Sequence, residues 1–142
     1  MTGLVAAWVA VLNGGDPIGL EAVFAADFVD HDPLGEGPTG VEGLRLGVQA
    51  LAEQCDDVRF HLEDCFGVGD RVAYRLYGTW TVPPALVFQR DLAPPAPVTL
   101  ACTGIFACRA GRLAERWGPW TLTVDGAPAT LGPAGTGTGV GR

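Results

Sequence analysis

The chain has 142 residues, of which 48% are hydrophobic and 18% charged, with a formal net charge of −7. This length suits a single domain with a core large enough to enclose a pocket, and the apolar share excludes disorder over most of the chain. All nine formal cations are arginines, which excludes Schiff-base lysine chemistry, and the negative balance argues against nucleic acid and anionic membrane surfaces, both of which need clustered cations.

Four cysteines (Cys55, Cys65, Cys102, Cys108) without C-x-x-C spacing, alongside two histidines, make a poor zinc set and read as buried, reduced thiols. The apolar run from Leu4 to Leu12 has no basic residue before it and ends in Asn13-Gly14-Gly15-Asp16, a helix end and not a cleavage site. No run is long enough to span a bilayer. The expected location is the cytoplasm.

Leu4, Trp8, Val9 and Leu12 recur at helical spacing, with Thr2 as the expected cap and Gly14 and Gly15 as the stop. Asp16-Pro17 predicts the start of a second helix, running to about Ala25 and burying Leu20, Val23 and Phe24. Residues 27–33 read as a brief extended piece before a loop rich in glycine and proline. Thr39, with Glu42 as capping-box partner, opens a third helix ending near Gln54.

From Val58 the apolar period changes from helical to two. Gly67-Val68-Gly69-Asp70 predicts a turn into a strand from Arg71 to Val82. After a proline-rich connection, Val98 to Cys108 and Leu113 to Val124 predict two more strands. Residues 126–142, rich in Gly, Pro and Thr, read as a disordered tail. The predicted fold is therefore an α+β domain over residues 1–125, in which three N-terminal helices pack on a strongly curved antiparallel sheet to form a cone-shaped barrel. Its mouth is the natural site for a small apolar ligand.

Strand parity nominates the candidate residues. Asp64 shares parity with Phe60, Leu62 and Phe66, and so is expected inside, where a carboxylate becomes a useful base; the other reading is a solvated strand end. Glu115 shares parity with Leu113 and Trp117, giving either a pocket group or a salt bridge to Arg75 or Arg109. His31 is a proton shuttle or a loop pin beside Asp32. His61 is expected to face solvent. Tyr74, Trp80, Trp117 and Trp120 are a dense aromatic set that can hold a flat substrate folded or simply pack the core. Arg75 can orient a carbonyl or form a surface ion pair.

Several strings resemble the SnoaL-like polyketide cyclases of the nuclear-transport-factor-2-like superfamily. They are Phe28-Val29-Asp30-His31-Asp32-Pro33, Gly37-Pro38-Thr39-Gly40-Val41-Glu42-Gly43, Gly69-Asp70-Arg71-Val72-Ala73-Tyr74-Arg75, Gly78-Thr79 and Gly111-Arg112-Leu113-Ala114-Glu115-Arg116-Trp117. The resemblance implies a homodimer or higher assembly, no metal and no organic cofactor. It implies ring closure of an apolar polyketide-type intermediate, aldol-type or pericyclic, with Asp64, Glu115, His31 and Tyr74 as polar candidates. Trp80, Trp117, Arg75, Phe60 and Leu62 would line the substrate site. Two residues depart from the family pattern: Trp80 replaces a histidine, and Thr121 stands where an aspartate would follow Trp117, with Asp125 a substitute only on a bulged strand. A carrier of a hydrophobic metabolite is the second reading. An epoxide-opening or cyclic-ether-forming enzyme, needing Asp64 and Glu115 to converge, is the third.

Overall fold

The computed structural model describes residues 1–35, 37–82 and 96–129. Helix α1 (Thr2–Gly14) buries Val5, Trp8, Val9 and Leu12 and stops at Gly15, whose φ of 71° is one that glycine adopts without strain. Thr2 is the first helical residue and not the cap, a position taken by Met1. Asp16 caps the next turn by accepting from the Ile18 N–H at 3.0 Å, and a 3-10 helix (Pro17–Gly19) leads into α2 (Leu20–Val23).

The second helix is shorter than its sequence predicts. Phe24 turns extended and opens strand β1 (Phe24–Asp30). Helix propensity at Ala25 and Ala26 yields to tertiary packing, because the strand lets Phe24 and Phe28 meet at 4.7 Å and close on Phe106 at 6.1 Å and 6.4 Å. Helix α3 (Gly40–Gln54) begins after Thr39, but no side-chain cap bond forms. The expected capping-box partner, Glu42, instead accepts from Arg45 at 3.3 Å.

The sheet comprises β1, β2 (Arg59–Val68), β3 (Arg71–Val82), β4 (Ala96–Arg109), β5 (Arg112–Trp117), β6 (Trp120–Val124) and β7 (Ala127–Ala129). Its order is β1-β5-β4-β3-β2, with β6 on the far half of β4 and β7 beyond it. The sheet is mixed and not purely antiparallel, since β1 runs parallel to β5. It curls strongly around the helices as a half-barrel. The aromatic and aliphatic core between the layers includes Leu20, Phe24, Val72, Leu76, Phe106 and Leu113, each at most 2% exposed. Strand β7 takes up the first residues of the segment that composition assigned to a tail; residues 130–142 lie outside the described residues, as does the connection at 83–95.

Of the three register irregularities in the sheet, one of which lies in β1 between Phe24 and Val29, those in β2 and β5 decide which way the sequence candidates face. In β2 the register slips between Leu62 and Asp64, making Glu63 the extra residue. In β5 it slips opposite Ala107 and Cys108, making Ala114 the extra residue. Each slip turns the following side chains to the opposite face.

The strand read from Leu113 to Val124 is broken at Gly118-Pro119. Gly118 has φ 135°, and a Cβ there would meet Gly104 Cα at 2.7 Å and Thr103 O at 2.8 Å. Replacing Gly118 by alanine is therefore expected to lower stability by roughly 2–4 kcal/mol. Gly47 in α3 has open space where its Cβ would stand, so Gly47→Ala should be neutral or stabilising by up to about 1 kcal/mol. Urea unfolding of both variants, with unchanged m-values, checks the contrast.

Candidate functional site

Helices α1 and α3, strand β1 and the inner face of the sheet line a partly open cavity of about 150 Å³. Trp8, Phe24, Phe28, Phe60, Phe106 and Trp120 supply its aromatic walls, and Leu12, Leu44, Val48, Leu51 and Leu100 its aliphatic ones. Among the described residues that line it, Asp30 and Arg116 alone carry charge. They form an ion pair, Arg116 Nε to Asp30 Oδ1 at 3.0 Å, with side chains 3% and 9% exposed.

The bulge at Ala114 turns Arg116 inward, opposite Phe106. Its guanidinium is held from all sides. Nη1 donates to Tyr74 Oη at 2.9 Å, to the Gly118 carbonyl at 2.7 Å and to Cys102 Sγ at 3.1 Å. Nη2 donates to the Asp32 carbonyl. Its plane lies over the Trp120 ring at 5.1 Å. The Asp32 carboxylate accepts from the Gly118 N–H at 2.7 Å, and the Asp32 N–H donates to Asp30 Oδ1 at 3.0 Å, tying the 30–32 segment to the β5–β6 bend.

Burial opposes the Arg116 charge, but the contacts with Tyr74 and Asp30 more than offset it and hold its pKa above the ordinary value. Burial likewise pushes the Tyr74 hydroxyl up, against the pull of Arg116, so Tyr74 stays a neutral phenol. The site therefore holds one cation, one anion and a neutral hydroxyl, packed among apolar walls.

The candidates drawn from the sequence divide between the two faces. Phe60 lines the cavity. Tyr74 faces inward but sits behind Arg116, stacked on Phe106 at 4.8 Å, and does not itself line the cavity. Trp80 is buried against Phe60 and Leu62 is half-buried at the core's margin, and neither lines it.

Asp64 is not an inward base: the bulge at Glu63 turns it outward, where it accepts from Arg75 at 2.6 Å, and Phe66 beyond it is 64% exposed. Arg75 lies on the outer face with Asp64 and Glu63 and does not touch the cavity. The same reversal at Ala114 puts Glu115 and Trp117 outside. There Glu115 does meet His31, Nε2 to Oε2 at 2.8 Å, and His31 stacks on Trp117 at 4.8 Å, but none of the three lines the cavity. His61 is exposed against Tyr77. Thr121 is exposed, and Asp125 lies in a turn at φ 53°. Among the described residues no three His, Cys, Asp or Glu side chains cluster as metal ligands.

The two charged cavity residues are the ones that sequence reasoning missed. Asp30 was legible from the inward parity it shares with Phe28. Arg116 was hidden by the one-residue slip before it.

A family model for the SnoaL-like domain matches residues 5–116. Among solved structures, TsrD from Streptomyces laurentii superposes with a TM-score of 0.70 at 23% identity, covering 83% of this chain and 85% of that one. A proposed polyketide cyclase from Bacillus cereus superposes at 0.67 and 21% identity, covering 82% and 71%. IdmH from Streptomyces antibioticus, also a proposed polyketide cyclase, superposes at 0.60 and 26% identity, covering 83% and 89%. A search of curated protein sequences returns no match. With that model spanning most of its length and its helices and half-barrel sheet matching those structures, the chain belongs to the SnoaL-like domain family.

Proposed function

We propose that this chain is a cofactor-independent cyclase that closes a ring within a largely apolar, polyketide-type intermediate, with Asp30 as proton acceptor and Arg116 as the donor to the developing oxyanion. The observation that carries this reading is the buried Asp30–Arg116 pair at the end of an otherwise apolar cavity. Asp30 takes a proton from a carbon next to a carbonyl. The C–H electron pair forms an enolate, whose oxygen Arg116 stabilises. The enolate carbon attacks a second carbonyl of the same molecule, forming the C–C bond, and the new alkoxide recovers the proton from Asp30. The product is an isomer of the substrate. Apolar walls that hold the chain folded contribute by bringing the two reacting carbons together.

This reading replaces the aspartate absent at Thr121 with one from β1. An epoxide-opening mechanism built on Asp64 and Glu115 loses its support, since both lie on the outer face with separate partners. A panel of acyclic β-diketo thioesters, followed chromatographically for conversion to cyclic isomers of equal mass, tests the proposal. Asp30→Asn should slow conversion roughly 100-fold or more while ligand binding persists; an unchanged rate overturns the mechanism. Binding without conversion by the wild-type protein favours the metabolite-carrier reading.

Arg116 serves this role while Tyr74 is neutral. Because the folded-state pKa of Tyr74 is raised, its contribution to stability is fully present below the unfolded value of about 10 and is lost as pH rises beyond it. Unfolding free energy should fall above pH ~10 by about 1.4 kcal/mol per pH unit for this one proton, and Tyr74→Phe should remove that component. Urea titrations between pH 8 and 11 measure it.

The homodimer implied by the family resemblance is part of the proposal. The outer sheet face supports it by exposing Phe66, Val68 and Ile105 at 64%, 78% and 45%. Sedimentation velocity should give a dimer for the wild type and a monomer for Phe66→Asp/Ile105→Asp; a wild-type monomer refutes this part alone.

A further inference from the structure

Asp30 and Arg116 each keep a hydrogen-bonding position that the protein does not use. Arg116 has five N–H hydrogens. Nε gives its hydrogen to Asp30, and the two on Nη1 are shared among Tyr74, Cys102 and the Gly118 carbonyl. Nη2 donates only to the Asp32 carbonyl among the described residues, so one of its hydrogens is left over. On Asp30, Oδ1 accepts from Arg116 and from the Asp32 N–H, and Oδ2 accepts nothing from the described residues. A spare donor and a spare acceptor thus sit on two nearly buried, ion-paired groups that line the cavity.

The remaining walls set the size and polarity of what can bind there. A cavity of about 150 Å³ is the size at which an engineered apolar cavity in another protein takes up benzene. One ring fills that volume, and a second fused ring would have to extend into the open mouth of the cavity. The pair is neutral overall, so an anion gains Arg116 but meets the Asp30 carboxylate, while a simple ketone satisfies Arg116 and leaves Oδ2 desolvated without a partner.

We propose that this cavity selects a neutral group with a hydrogen-bond acceptor and donor cis to one another, carried on a single apolar ring. The proposal rests on the cavity being the substrate site. The acceptor oxygen takes the spare Nη2 hydrogen of Arg116, and the donor gives its hydrogen to Asp30 Oδ2. A carboxamide presents this pattern directly, and an enolised 1,3-dicarbonyl presents it once its O–H turns from its own carbonyl to Asp30.

Calorimetric titration of the full chain with four one-ring probes and one two-ring probe tests it. Benzamide and 2-acetylcyclohexanone, the carboxamide and the enol, should bind roughly ten- to a hundred-fold tighter than acetophenone or benzoate. Their order relative to each other identifies which source the site prefers. 1-Naphthamide should bind at least tenfold more weakly than benzamide. Asp30→Asn should erase the preference for benzamide over acetophenone. Gly47→Leu, which places a side chain in open space beside the cavity without disturbing its charged end, should weaken both one-ring binders together.

Equal binding of benzamide and acetophenone, or tighter binding of benzoate, overturns the paired recognition. Equal binding of 1-naphthamide overturns the size limit. None of these titrations involves turnover. If benzamide binds as described but Asp30→Asn still cyclises substrate, the mechanism fails and the recognition stands; the reverse pattern separates them the other way.

Discussion

Placing a guanidinium inside a protein costs several kcal/mol in lost hydration, and the cost is recovered only when nearly every N–H finds an acceptor and a counter-charge lies close. Arg116 meets these terms with acceptors from five places: Asp30 on β1, the Asp32 carbonyl after it, Tyr74 on β3, Cys102 on β4 and the Gly118 carbonyl at the bend. One side chain thereby ties three other strands and the two segments that approach them. The demands run outward. The bulge at Ala114 is needed to turn Arg116 inward, and two facing glycines are needed to bring the Gly118 carbonyl within reach, since a Cβ on Gly104 would stand 2.4 Å from the Trp117 carbonyl oxygen.

The same requirement explains how the cavity is shaped. Apolar walls lower the local dielectric, which strengthens the ion pair and raises the penalty for leaving either partner exposed to hydrocarbon alone. The aromatic cluster of Phe24, Phe28 and Phe106 accordingly needs β1 as a strand: a helix continued through Ala25 would break the parallel pairing that sets Asp30 opposite Arg116. Local propensity loses at this point because the ion pair and the aromatic contacts lie on the same strand.

Much of the fold was legible in the sequence because it follows from periodicity. Helical spacing in Leu4 to Leu12 located α1, the Thr39 and Glu42 signal located α3, and the shift to period two at Val58 located the sheet. What failed was the assumption of an unbroken strand. Asp64 and Phe66 were placed inside by counting twos from Phe60, and one extra residue at Glu63 reversed both. Glu115 and Trp117 were placed inside by counting from Leu113, and Ala114 reversed them as well. Nothing local distinguishes Leu-Ala-Glu-Arg-Trp with a bulge from the same string without one; the choice is made by the partner strand and by the cost of leaving Arg116 unpaired. The parallel placement of β1 was illegible for the same reason, since its pairing partner lies more than eighty residues away.

A buried pair of opposite charges also suits proton abstraction from carbon in a way that a lone carboxylate does not. In the mechanism we propose, the cavity starts with a carboxylate, a guanidinium and a neutral ligand and ends with a neutral acid, the same guanidinium and an enolate. In that proposed step the sum of charges is constant, and the negative charge would move only from Asp30 to an oxygen bound at Arg116. The dipoles that stabilise the start, namely the Tyr74 hydroxyl, the Gly118 carbonyl and the Asp32 segment, are fixed by the fold and need little reorganisation during the step. In the proposed mechanism Tyr74 contributes by remaining neutral: an ionised phenolate in its place would compete with the enolate for the same cation. The five-way anchoring of Arg116 is therefore both the device that makes its burial affordable and the reason it keeps a single hydrogen for the oxygen that the proposed mechanism brings to it.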